Sequence, residues 1–174
     1  GNVLTDLVST DGNFMNEAAA SGWTATSFYT PGVVTGMCDD AFLVGGFSVL
    51  GPSTGSSNGQ SFYVTYSGLP SHTQINFSFK IWIIDEWLDS YNDRFAVKFD
   101  SVTLTGLGFN YITTGVSQLC GITDRLDTAS VTIEGTVAHN SALTDSVTFS
   151  VISLLHRSSY YQSFGIREIK LTFT

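Results

Sequence analysis

An all-β chain folded as a two-sheet antiparallel β-sandwich of jelly-roll type is predicted by three observations. Apolar residues recur at alternate positions in run after run, which is the strand period. Turn formers separate the runs, as in Pro52-Ser-Thr-Gly-Ser-Ser-Asn-Gly59, Gly68-Leu-Pro70 and Thr105–Gly115. No segment has the length of an architectural helix; Asn16–Ser21 and Ser117–Leu126 offer one helical turn each. The predicted strands begin with Asn2–Val8, Gly22–Tyr29 around Trp23, and Phe42–Val49, where Gly45-Gly46 interrupts an apolar run. Gln60–Tyr66 follows the Ser/Gly-rich segment. In Gln74–Ile84, the clearest strand, Ile75, Phe77, Phe79, Ile81 and Ile83 alternate with Asn76, Ser78, Lys80 and Trp82. Arg94–Ser101, Ser130–Thr136, Ser146–Ser150 and Gly165–Phe173 complete the set, enough for two packed sheets.

The 174 residues suit a single domain over 1–174, because no repeat, linker or composition break divides them. A chain of this length buries about two-thirds of its unfolded surface. With 43% hydrophobic residues it has enough apolar content to offset chain entropy, which excludes disorder. Nucleic acid is excluded as a partner: Lys and Arg total 7, none precedes Lys80, and the net charge is -8. Membrane insertion is excluded too, since Phe77–Ile84 and Ala41–Leu50 fall far short of the roughly 20 apolar residues that span a bilayer. Cys38 and Cys120 are too far apart for a CxxC redox or zinc pair. They read either as two buried free thiols or as a disulfide of the kind secreted β domains carry.

The densest polar cluster is Asp85, Glu86, Asp89, Asn92 and Asp93. A solvated acidic turn is the plainer reading. The sharper one is a structural Ca²⁺ held by Asp85, Asp89 and Asp93, since calcium takes six to eight oxygen ligands; the spacing is not that of an EF-hand. Arg167 lies in an apolar strand and needs a carboxylate, because an unpaired buried charge is costly. Asp85 is its expected partner in a fold-stabilising ion pair. Asp85 with Asp100 or Glu134 would be the carboxylate pair of a glycosidase, but nothing in the sequence separates acid from nucleophile. His72, His139 and His156 stand alone, without zinc spacing. His72, after Leu69-Pro70, is expected to tie down a turn. Asn76-Phe77-Ser78 is an N-glycosylation pattern set within a strand. Trp23 belongs to the core, whereas Trp87, Tyr160 and Tyr161 stand in loop-like contexts. The run from His156 to Gln162, with Arg157, Tyr160 and Tyr161, has the mixed aromatic and hydrogen-bonding composition of binding loops.

An ordered set of strings adds to this reading. Gly22-Trp23 is followed by Cys38, Gly45-Gly46-Phe47, Leu69-Pro70-Ser71-His72 and Phe77-Ser-Phe79. Then come Ile84-Asp85-Glu86-Trp87, Cys120-Gly121 and Phe164-Gly165-Ile166-Arg167-Glu168-Ile169. The order resembles the cysteine-paired jelly-roll modules of protist surface proteins, ciliate examples especially, which look like galactose-binding sandwiches. The resemblance implies an extracellular module and a Cys38–Cys120 disulfide. The chain departs from that pattern in Asp85-Glu86-Trp87-Leu88-Asp89, where Asp-Ser-Trp-Asp is usual, and at Phe164, where Trp is usual.

The function these readings favour is a non-catalytic extracellular or cell-surface module for recognition or adhesion. Its partner would be a glycan or cell-surface glycoprotein, met by Trp87, Asp89, Arg157, Tyr160 and Tyr161. The other classes are the receptor-binding tip of a trimeric microbial or phage fibre, a structural spacer, and a glycoside hydrolase. Low charge and apolar content would suit the homo-oligomer that the fibre reading requires.

Overall fold

The computed structural model describes residues 2–5, 23–25, 35–38, 41–46, 60–85, 87, 93–104, 119–121, 128–155 and 162–174. The described residues form strands and turns, with no helix among them. In chain order the strands are β1 (Asn2–Thr5), β2 (Thr24–Ala25), β3 (Thr35–Cys38), β4 (Ala41–Gly46), β5 (Gln60–Tyr66) and β6 (Gln74–Ile84). They continue with β7 (Arg94–Phe99), β8 (Val102–Leu104), β9 (Thr128–Ala138), β10 (Val147–Leu154) and β11 (Ser163–Phe173). One sheet has the order β3-β4-β11-β6-β9, with β1 also paired to β11; the other has the order β2-β5-β10-β7-β8. All pairings are antiparallel. The predicted two-sheet sandwich is therefore the observed one. β5 and β6 have the predicted bounds, whereas β3 and β8 come from stretches too short to show a period. The helical turn expected at Ser117–Leu126 is not seen at Leu119–Gly121, where Gly121 has φ 82°. Asn16–Ser21 lies outside the described residues.

Alternation explains which side chains enter the sandwich. Ile75, Phe77, Phe79, Ile81 and Ile83 of β6 turn inward and meet Phe149 and Val151 of β10 and Phe95, Val97 and Phe99 of β7. Aromatic rings fill much of the interlayer space: Phe77–Phe99 centroids are 5.0 Å apart, Phe99–Phe149 5.1 Å and Trp23–Phe62 5.4 Å. Each fully buried ring of this size contributes roughly 1.5–3 kcal/mol through apolar burial.

The upper half of β6 is buried on both faces. Trp82 and Ile84, on the outer side, form a second apolar cluster with Cys38 and Leu43, and Leu119 and Cys120 pack against it. The Cys38–Cys120 disulfide fastens this cover. Close approach continues at Gly165, where a Cβ would lie 2.6 Å from Leu43 Cβ, so only glycine lets β4 and β11 pack here. Gly121 is equally constrained: its φ is +82° and a Cβ would stand 2.7 Å from both carboxylate oxygens of Asp85.

β11 changes phase midway. Phe164 and Ile166 face the core, and so do Ile169, Leu171 and Phe173. The parity switch is made by a bulge: Arg167 pairs with Lys80 and Lys170 with Ser78, so β11 spends one residue more than β6. Glu168 sits in the bulge with φ 54°, and its carboxylate meets Lys80 Nζ at 2.9 Å. On its other edge β11 pairs with β4 before the bulge and with β1 after it.

The two ends of the sandwich are closed by hydrogen bonds. At the Thr174 end, His72 secures its turn as expected, Nδ1 meeting the Pro70 carbonyl at 2.6 Å. Ser141 joins the same turn, accepting from His72 N and donating to His72 O. Inside the sandwich, Ser153 is buried with its hydroxyl unbonded among the described residues. Ser153→Ala is therefore expected to leave stability unchanged or raise it by up to about 1 kcal/mol, because it removes an unsatisfied buried hydroxyl. Urea unfolding measures it; a loss above about 1 kcal/mol would show that the hydroxyl has a partner.

Candidate functional site

Trp87 is not at a surface. It is 1% exposed, its indole N–H donates to the Ser163 carbonyl at 3.2 Å, and its ring meets Phe95 and Phe164 edge-on. The loop-like sequence around it led to the expectation of a recognition ring; burial of the large apolar side chain at the open end of the sandwich overturns it. Asp93, 1% exposed, accepts a hydrogen bond from Gln162 Nε2 at 2.6 Å. Together the Trp87–Ser163 and Gln162–Asp93 bonds join the described flanks of two chain segments, 88–92 and 156–161. Asp89, Arg157, Tyr160 and Tyr161 belong to those segments and lie outside the described residues. Asp85, fully buried with φ 62°, follows β6 and sets its carboxylate against Gly121. Arg167, 5% exposed, occupies the β11 position in register with Lys80.

The carboxylates that would have made a glycosidase do not converge. Glu134 is in register with Ser78, seven residues before Asp85 on β6, about 23 Å along the strand at ~3.3 Å per residue. Asp100 follows β7 at the opposite end of the sandwich from Asp85. Glycosidase pairs stand about 5–9.5 Å apart.

A polar surface with an open depression lies instead on the outer face of the six-stranded sheet. Below the disulfide-covered half, an open depression of about 190 Å³ is lined by Asn76, Phe77, Ser78, Glu134, Lys170 and Thr172. Its shape follows from register. Lys170, Ser78 and Glu134 form one row across β11, β6 and β9. A short serine thus separates two long charged side chains whose backbones are two strand spacings, about 10 Å, apart. The next row is Thr172, Asn76 and Thr136. Asn76 Oδ1 accepts from Thr136 Oγ1 at 2.7 Å and from Gln74 Nε2 at 3.2 Å, which orients the amide. Lys80 is occupied by Glu168, whereas Lys170 and Glu134 are exposed and have no ion-pair partner among the described residues. The sequence signal for this face was present in Asn76, Ser78 and Lys80, the polar alternates of β6. What it did not show was which β9 and β11 residues stand beside them.

No protein-family model matches this chain. No curated protein matches it either. Solved structures do. A family 35 carbohydrate-binding module from Clostridium thermocellum superposes with a TM-score of 0.51 at 7% identity, covering 100% of both chains. A carbohydrate-binding module described for specific mannan recognition gives 0.46 at 8% identity, over 100% of this chain and 99% of that one. The K2 cleaved adhesin domain of Lys-gingipain gives 0.48 at 14% identity, over 99% of this chain and 98% of that one. At such identities the likeness is one of fold.

Proposed function

We propose that this chain is a non-catalytic glycan-binding module of an oxidising, extracellular compartment, and that the depression on the outer sheet face is its contact surface. The observation that carries the reading is the Lys170–Ser78–Glu134 row, an ammonium and a carboxylate facing each other across a hydroxyl floor. A sugar hydroxyl both donates and accepts, so a neutral saccharide satisfies both walls at once. An anionic sugar would meet Glu134 and a cationic one Lys170, and the net charge of -8 further disfavours anions. The disulfide suits an oxidising compartment. The likeness of fold to carbohydrate-binding modules is compatible with the reading. Asp89, Arg157, Tyr160 and Tyr161 remain proposed further contacts. The buried Asp85 and Arg167 are proposed to neutralise each other, since buried charges require partners.

A glycan array followed by titration calorimetry tests this, with calcium added in one arm and chelated in another. Neutral oligosaccharides are expected to bind, and Lys170→Ala and Glu134→Gln each to weaken binding about tenfold, the loss of one hydrogen bond to a charged group. Both residues are exposed, so folding should persist. Retention of no neutral glycan in either arm overturns the proposal.

A further inference from the structure

At the Thr174 end, four groups are joined in a line. His72 Nδ1 meets Pro70 O at 2.6 Å, His72 Nε2 meets His139 Nδ1 at 2.7 Å, and His139 Nε2 meets Asp100 Oδ2 at 3.1 Å. His72 is 4% exposed and the His139 side chain 7%. The ring planes lie within 12° of each other and the centroids are 4.9 Å apart. The 2.7 Å nitrogen contact is shorter than face-to-face rings allow, so the imidazoles meet edge to edge. The line connects three chain turns: His72 precedes β6, His139 follows β9, and Asp100 closes the β7–β8 turn with φ 51°. Backbone bonds run alongside, His139 N to Thr73 O at 3.1 Å and Ser141 N to His72 O at 3.0 Å.

Both ends of this line are acceptors. A carbonyl oxygen cannot donate, and an ionised carboxylate cannot either. Three contacts therefore require three protons, whereas two neutral imidazoles beside a carboxylate supply two. The count holds whichever imidazole carries the third proton, with Asp100 ionised. If it is withdrawn, one contact sets two acceptors against each other; if a fourth is added, the nitrogen–nitrogen contact sets two donors against each other. We infer that His72, His139 and Asp100 form a proton-loaded clasp on the β6–β9 end of the sandwich, fastened while the line holds three protons and loosened when one is withdrawn or a fourth is added.

The surroundings leave the sign of the effect to these groups. Asp100 is the charged side chain shown facing the pair among the described residues. Phe173 of β11 offers an aromatic edge at 4.8 Å, Ser141 a hydroxyl, and Asp145 reaches this region through its backbone carbonyl, to Leu69 N. A closed form holding three protons becomes less favoured as pH rises where the open form holds two, and as pH falls where the open form holds four, by at most about tenfold per pH unit.

Imidazole nitrogen NMR at about pH 6 is expected to show three protonated nitrogens and one bare nitrogen across His72 and His139. Two or four protonated nitrogens overturn the inference. Native-state hydrogen exchange, corrected for intrinsic rates, is the second measurement. Between about pH 5 and about pH 8, the protection of the His72, His139 and Ser141 amides relative to those of β10 should pass through a maximum and fall about fivefold or more towards both ends. Protection that keeps a constant ratio to β10 overturns the proposal. So does loosening by a chelator at about pH 5, which would put a metal ion between the nitrogens. His139→Gln, which cannot carry the third proton, should abolish the pH dependence; a variant that folds and keeps it also counts against the clasp.

Discussion

Replacing Cys38 and Cys120 together by serine is expected to lower the unfolding free energy by about 4 kcal/mol. The bond joins residues 82 apart in sequence, and closing a loop of that size restricts the unfolded chain by roughly that amount in the chain-entropy model. The change also acts on the folded side. Leu119 and Cys120 pack over Trp82, Ile84 and Leu43 on the outer face of the sheet. Without the bond, that packing and the fit of Gly121 against Asp85 still act on this cover. Urea unfolding followed by tryptophan fluorescence reads both effects: the midpoint falls, and the native emission shifts to the red as water reaches Trp82. An unchanged midpoint would show that the cover is held without the covalent link.

The other large effect is expected at Trp87. Trp87→Ala should cost about 3–5 kcal/mol, the range for truncating a large buried aromatic. Trp87→Phe keeps most of the packing and gives up the hydrogen bond to Ser163, for a loss of about 1 kcal/mol. The two variants separate a core role from a recognition role. A buried ring predicts that the phenylalanine variant retains its affinity for any bound glycan. Loss of binding by that variant, with the melting temperature unchanged, would place Trp87 in contact with ligand instead.

The sandwich was legible wherever a strand has one wet face and one dry face. Gln74–Ile84 shows this along most of its length, and its bounds match those of β6. Legibility failed where a second layer covers the outer face, since Trp82 and Ile84 then carry the same apolar signature as core residues. It also failed for β3 and β8, with 4 and 3 residues, too short to show a period. Trp87 misled for a different reason. A residue that plugs the end of a sandwich sits between polar neighbours, and its sequence context is that of a recognition loop. The polar depression was half legible: Asn76 and Ser78 alternate visibly, but Glu134 and Lys170 become their neighbours only through the register of β9 and β11.

The bulge at Glu168 gives β11 something close to a reading frame. Phe164 and Ile166 are read in one phase and Ile169, Leu171 and Phe173 in the other, with one supernumerary residue keeping both messages pointed inward. Substitution within Arg167–Lys170 alters a letter. Deletion of Glu168 would remove the supernumerary letter and leave a regular strand, in which Ile169, Leu171 and Phe173 follow Phe164 and Ile166 in one phase and Lys170 still stands opposite Ser78. The closing strand therefore carries one letter more than its frame requires, and a one-residue gap at that point is the change of length that this fold would accommodate best.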